Sequence, residues 1–203
     1  FNPDGSLKEG MPVPTFGFVQ PGDIKYKDLF GDGVIDENDK TKIGDASMPK
    51  YNFALQLGFS WRNLDFFALF QGVAGRDVNL LNTPQARAFV NNCNVYEIAK
   101  DRWAYYPEQG IDTRSTAKFP RLSLQDNNNN YQPSTFWMCN GDFLKLRNLE
   151  LGYSLPKRWL GKIRIESARI YVNAVNLFEV SKLKSDYGVD AEVISCLLYT
   201  SDA

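Results

Sequence analysis

The chain has 203 residues, 43% hydrophobic and 23% charged, and nowhere approaches the roughly 20 consecutive apolar residues of a helical membrane span. A formal net charge of −1 with scattered basic residues sets nucleic acid aside as a partner. The absence of histidine removes the commonest general base, nucleophile partner and transition-metal ligand, so neither an enzyme nor an organic cofactor is expected.

The chain begins at Phe1 without a charged-then-apolar leader and reads as an internal piece. Residues 1–19 are rich in Gly and Pro and predict a loop with one short strand over 15–19. Pro21-Gly22-Asp23-Ile24-Lys25-Tyr26 predicts a turn and a short extended segment, followed by an acidic loop over 28–39. Over 53–61 every odd position is apolar (Phe53, Leu55, Leu57, Phe59, Trp61) and every even position is small or polar, which is the period of a strand with one greasy face. Its length of about nine residues and its aromatic ends suit one crossing of a bilayer by a tilted strand. Arg62-Asn63 offers a tight turn, and 64–73 returns as the second arm of a hairpin, with Phe66, Ala68 and Phe70 on one face and Phe67 and Leu69 on the other.

Between Gly75 and Tyr131 the alternation stops, and the segment predicts a long extracellular loop over 75–131 with a helix over 95–103. Asp126 and the four asparagines that follow are expected to be its most mobile part. Alternation resumes over 143–154, but Leu144 and Leu146 are out of phase with Leu149, Leu151 and Tyr153, so a bulge is expected near Arg147-Asn148. A short periplasmic-type turn over 156–163 leads to a strand over 168–175. There Ile170, Val172 and Ala174 face one way, and Arg169, Tyr171 and Asn173 face the other, toward a water-filled lumen. The cysteines Cys93, Cys139 and Cys196 show no metal-ligand spacing; a Cys93–Cys139 disulfide and unpaired thiols are both open. Residues 196–203 look like a translated sequencing adapter, with a natural apolar terminal strand as the alternative.

In the acidic loop, Asp28, Asp32, Asp36 and Asp39 occupy positions one, five, nine and twelve, with Gly33 at six and the Val34 carbonyl at seven, which are calcium-loop offsets. Carboxylates about 4 Å apart repel by roughly 4 kcal/mol per pair at an effective dielectric of about 20, so gathering them favours a bound cation. Phe30 at position three cannot ligate, and Asp39 has a shorter arm than Glu. A Gly-Asp-Gly turn with solvated acids is the alternative to Ca2+.

Several fragments occur in the order seen in one family: Pro21 to Tyr26, the acidic loop, Ile43-Gly44, Pro49-Lys50-Tyr51 and Phe70-Gln71-Gly72-Val73-Ala74-Gly75. Further on come Phe119-Pro120-Arg121-Leu122, Ser134-Thr135-Phe136-Trp137, Phe143-Leu144-Lys145-Leu146-Arg147-Asn148, Leu151-Gly152-Tyr153-Ser154-Leu155-Pro156 and Asn176-Leu177-Phe178. Together they resemble the C-terminal barrel region of SusC/RagA-like TonB-linked outer-membrane proteins. That resemblance implies an all-β fold, the late strands of a 22-stranded antiparallel transmembrane barrel with long extracellular loops. It also implies a bacterial outer-membrane location, lipid contact, a SusD-like surface lipoprotein as partner, TonB as the driver through regions outside this chain, and oligosaccharide or peptide cargo. Lumen-facing Arg169, Tyr171 and Asn173, with loop aromatics Trp103, Tyr105, Tyr106 and Trp137, are the expected cargo contacts. Packing of those rings in the loop core or at the membrane interface is the alternative. The competing function is a soluble calcium-binding adhesion or dockerin-like module, suggested by the acidic loop alone.

Overall fold

A computed structural model describes residues 1–2, 4–90, 94–124, 127–161 and 165–192. The strands are β1 (Val13–Pro14), β2 (Val34–Ile35), β3 (Tyr51–Trp61), β4 (Leu64–Ala74), β5 (Asp77–Asn79), β6 (Tyr105–Tyr106), β7 (Ile111–Asp112), β8 (Met138–Asn140), β9 (Phe143–Ser154) and β10 (Arg169–Ser181). Two short helices, α1 (Lys157–Leu160) and α2 (Lys182–Tyr187), follow β9 and β10. Residues 1–44 and 79–138 make one compact unit; 45–78 and the chain from 139 onward make the other.

The second unit is built on an antiparallel sheet in the order β10-β9-β4-β3. Its register converts the alternation in each strand into one continuous apolar face. Across β3 and β4, Leu55 lies beside Phe70, Leu57 beside Ala68 and Phe59 beside Phe66. Phe66 then lies beside Leu151, and Leu151 beside Val172; Leu64, Tyr153 and Ile170 form a parallel row. The Phe59 and Phe66 rings stack at 5.1 Å. Leu55, Leu57, Ile170 and Val172 are 55%, 46%, 62% and 73% exposed, so no second layer of the described residues covers this face. Leaving a leucine-sized side chain in water rather than burying it forgoes about 1.5–3 kcal/mol, and a whole face of them requires an apolar solvent.

The phase break in β9 is a bulge: β4 shifts register between Leu69, which pairs with Asn148, and Phe70, which pairs with Leu146. Arg147 is the extra residue, so Leu146 and Leu149, three apart, share the apolar face. β10 carries a matching shift between Val175 and Phe178, with Asn176 at φ 51°. The strand continues to Ser181 rather than stopping at Val175, with Phe178 and Val180 on the same face as Ile170, Val172 and Ala174. The β3–β4 hairpin turns through Arg62 at φ 55° and Asn63, as the sequence suggests.

The first unit holds little regular structure. β1 and β2 pair in parallel, β6 and β7 form a small hairpin, and short 3-10 turns make up much of the rest. The expected strand over 15–19 is replaced by β1, and the expected helix over 95–103 is a five-residue 3-10 helix, Glu97–Asp101. The asparagine run reverses its expected character: Asn127, Asn129 and Asn130 are buried rather than mobile. Asn127 Nδ2 and Asn130 Nδ2 donate to Asp23 Oδ1 at 3.1 and 2.8 Å, and the Ile24 amide donates to Asn130 Oδ1 at 2.8 Å. The Arg121 guanidinium approaches the same carboxylate at 2.7 Å. Asp23 is thus the hub of a polar core, which asparagine can build because its amide both donates and accepts. Asp126, Cys93 with its possible disulfide, and residues 196–203 lie outside the described residues; Cys139 is buried. Among the described residues, no helix is long and apolar enough to cross a membrane.

The asymmetry of the sheet sets a direct test. Leu57→Arg on the apolar face should cost about 2–4 kcal/mol when folding is measured in lipid vesicles, while Gln56→Arg on the other face should cost little. Equal costs at the two neighbouring positions would place the apolar face against something other than lipid.

Candidate functional site

The polar face of the sheet opposes the apolar one through the pleat, and its charges are paired across strands. Arg169 on β10 reaches over β9 to Asp65 on β4 and also meets Glu150 at 2.5 Å. Gly152 lies beneath: a Cβ there would collide with both Arg169 and Asp65, so the missing side chain makes room for the crossing. The Arg169 guanidinium stands 5.2 Å from the centre of the Tyr171 ring, and Asn173 pairs in register with Glu150. Arg169, Tyr171 and Asn173 therefore share the polar face, with Arg169 already neutralised by two carboxylates.

At the opposite end of the same face lies a second charge cluster that the sequence reading missed. Lys145 and its partner Glu179 are each 4% exposed, with Nζ 3.2 Å from Glu179 Oε2. The chain beyond α2 folds back through Gly188, in the left-handed region at φ 66°, as a strap over 189–192. Asp190 Oδ1 and Glu192 Oε2 accept from Lys145 Nζ at 2.6 and 3.2 Å. Glu192 also pairs with Arg147, whose Nε donates to Gln71 Oε1 at 2.8 Å and whose Nη1 donates to Asn176 Oδ1 at 3.0 Å. Arg76 donates to the Ala191 carbonyl, and the Ala191 amide donates to Glu179 Oε1 at 3.2 Å. Lys145 and Arg147 stand in the polar phase of β9, but Asp190 and Glu192 follow α2 with no periodicity to announce them. Only the fold-back joins them.

The loop aromatics divide. Trp103 packs flat on Gly22, where a Cβ would sit 2.5 Å from the indole, and Tyr105 has one face covered by the Arg114 guanidinium at 3.8 Å. Tyr106 remains exposed. Trp137 is 1% exposed, with Nε1 donating to the Asn130 carbonyl at 2.7 Å and the Phe136 ring edge-on at 4.8 Å. The expectation that Trp137 offers a ring to cargo is corrected: it is the largest side chain of the first unit's core. Nearby, burial pushes the Tyr26 phenol up to about 12, while its hydroxyl donates to the Asn129 carbonyl at 2.5 Å.

In the acidic loop, Asp28 accepts the Gly31 and Gly33 amides at 2.5 and 2.9 Å, and Asp39 accepts the Leu29 and Asp36 amides at 2.7 and 2.9 Å. Asp36 caps a short 3-10 turn by accepting the Asn38 amide at 2.7 Å, and Asp32 accepts the Val34 amide at 2.9 Å. The Asp36 and Leu29 amides hold the Asp39 carboxyl below its ordinary range. Gly33 adopts φ 82°, the sharp turn that position six requires. Among the described residues, no three carboxylates or other ligand side chains are gathered to hold an ion. As folded here, the donor oxygens serve backbone amides and do not form a metal cage.

No protein-family model matches the chain. It is 28% identical over 178 residues to TonB-dependent receptor P26 of Formosa agariphila, covering 85% of this chain and 17% of the relative. It is 26% identical over 189 residues to TonB-dependent receptor P3 of the same organism, covering 93% of this chain and 17% of that relative. A solved RagAB peptide importer in its closed-closed state shares 26% identity and a TM-score of 0.50 over 73% of this chain and 15% of its own. The chain thus spans about 17% of the length of the curated relatives it matches. The likeness read from the motifs holds, and with it the partial β-barrel fold.

The strap's charges make it sensitive to acid. Burial raises the Asp190 carboxyl, but the Lys145 ammonium more than reverses this, and Arg147 holds Glu192 down; both sit below their ordinary values of 3.8 and 4.5. A depressed carboxyl stabilises the folded strap above its ordinary value, and that stabilisation is lost as pH falls through the lowered one. A spin label at Asp186→Cys should be immobile at pH 7 and gain mobility only below about pH 4. Release near neutral pH would show that these ion pairs do not hold the strap.

Proposed function

We propose that this chain, similar to TonB-dependent receptors of the SusC/RagA kind in the bacterial outer membrane, forms part of the barrel wall of a nutrient importer. The observation that carries the reading is the apolar face running from β3 to β10 with no layer of the described residues over it, beside a polar face rich in paired charges. Cargo is peptide or oligosaccharide, and the RagAB likeness favours peptide. A SusD-like surface lipoprotein is the partner, and TonB drives uptake through regions beyond these residues. Exposed Tyr106, with Tyr171 and Asn173 on the polar face, supplies hydrogen-bonding contacts to cargo in passage. The reading as a soluble calcium-binding or dockerin-like module is not favoured, because a soluble module has no use for an exposed face of Leu55, Leu57, Ile170 and Val172.

Deleting the gene in its native bacterium should remove the receptor from the outer-membrane fraction and abolish uptake of its oligopeptides or oligosaccharides. Dissipating the inner-membrane proton gradient in the parent strain should have the same effect on uptake. Uptake of every tested oligomer at the parental rate in the deletion strain would end the importer reading.

Calcium at Asp28, Asp32, the Val34 carbonyl, Asp36 and Asp39 is a separate proposal, supported by the position-six turn at Gly33 and the all-oxygen donor set. Calorimetric titration of the receptor should show binding at or below millimolar calcium that Asp28→Asn removes. Absence of heat at millimolar calcium would leave the loop as a turn held by its own amides.

A further inference from the structure

We propose that Lys145 and Arg147 form a carboxylate-binding subsite on the polar face, filled in the resting chain by the strap's own Asp190 and Glu192 and available to an acidic group on cargo. The inference rests on the importer reading and names a substrate chemistry for it.

The subsite is built before any ligand arrives. Gln71 Oε1 on β4 accepts from Arg147 Nε at 2.8 Å, and Asn176 Oδ1 in the β10 bulge accepts from Nη1 at 3.0 Å, which fixes the guanidinium plane and aims Nη2 at the Glu192 carboxylate. Lys145 Nζ contacts three carboxylates: Glu179 at 3.2 Å, Asp190 at 2.6 Å and Glu192 at 3.2 Å. These partners are not equivalent. Glu179 is 4% exposed and its Oε1 is also tied to the Ser181 hydroxyl at 2.6 Å, so it belongs to the sheet. The Asp190 and Glu192 side chains are 45% and 44% exposed and are carried on a segment without regular structure.

Among the described residues, other charges near the cluster include Lys184 on α2, which favours the Asp190 carboxylate, Arg76, bonded to the Gly141 carbonyl at 2.9 Å, and Asp142, which accepts the Gly75 amide at 2.8 Å. Withdrawing the strap alone would leave Glu179 as the nearby carboxylate for both Lys145, which it touches, and Arg147, which it does not, and two cations sharing one buried carboxylate are under-compensated. The strap therefore leaves readily only when another carboxylate takes its place. A peptide acid and a sugar acid share that chemistry.

The test uses the intact receptor barrel containing this chain, purified in detergent, with tetraglutamate and tetraglutamine as one probe pair and tetragalacturonate and its methyl ester as the other. The proposal expects the acidic member of at least one pair to bind about tenfold more tightly than its neutral partner, and the pair that discriminates identifies the source as peptide or sugar. Glu192→Gln, an exposed change that removes the internal competitor, should strengthen acidic binding further. Arg147→Gln should erase the preference, whereas a purely structural latch would change both members of a pair equally. Equal affinities within both pairs, or a preference that survives Arg147→Gln, would overturn the subsite. Failure of the importer reading would show separately, as unchanged uptake in cells lacking the gene.

Discussion

One apolar face of a four-stranded sheet is left uncovered by the described residues, and the rest of the second unit answers to that constraint. In water such a face would drive association, and the two open edges at β3 and β10 would template it. Against hydrocarbon the same features become requirements. Strands of 11 to 13 residues reach across the apolar layer, and Tyr51 and Trp61 stand at opposite ends of β3, where amphipathic rings suit the interface. Edges left open here are places where further strands of a larger barrel pair.

The polar face follows from the same constraint. With one side apolar, the charged side chains of β4, β9 and β10 point to the other, and there each finds a partner on a different strand. Arg169 ties β10 to β4 across Gly152 on β9, and Lys145 ties β9 to β10. The two clusters stand toward opposite ends of the sheet, so a one-residue slip, which would turn every side chain to the wrong face, would also break ion pairs at both ends. The paired bulges belong to this arrangement: Arg147 from one and Asn176 from the other hydrogen-bond to each other at 3.0 Å.

What the sequence made legible was whatever obeys a short period. The strand over 53–61, its return through Arg62-Asn63 and the bulge near Arg147 could all be read from the alternation, because neighbouring residues on a strand must face opposite ways. The second bulge was hidden because Ile170, Val172, Ala174, Phe178 and Val180 keep one parity across it, so the alternation of β10 shows no break. The strap was hidden for a deeper reason. Asp190 and Glu192 matter only because Gly188 turns the chain back onto Lys145, some 45 positions earlier, and no local pattern encodes that meeting.

The asparagines at 127–130 show where polarity misleads. A run with no apolar content predicts solvation when it is judged by hydrophobic burial alone, yet these side chains close around Asp23 and Ile24, about a hundred residues away, and Arg121 also meets the Asp23 carboxylate. The long loop buries small and aliphatic side chains such as Leu80, Val90 and Ala99, and an amide–carboxylate network with Trp137 laid against it adds a polar part to that core. In both units buried polar groups are tolerated because a distant segment satisfies them. The asparagine network and the strap over Lys145 thus follow one rule: where the sheet's apolar side chains are committed to lipid, order elsewhere is built from hydrogen bonds and ion pairs.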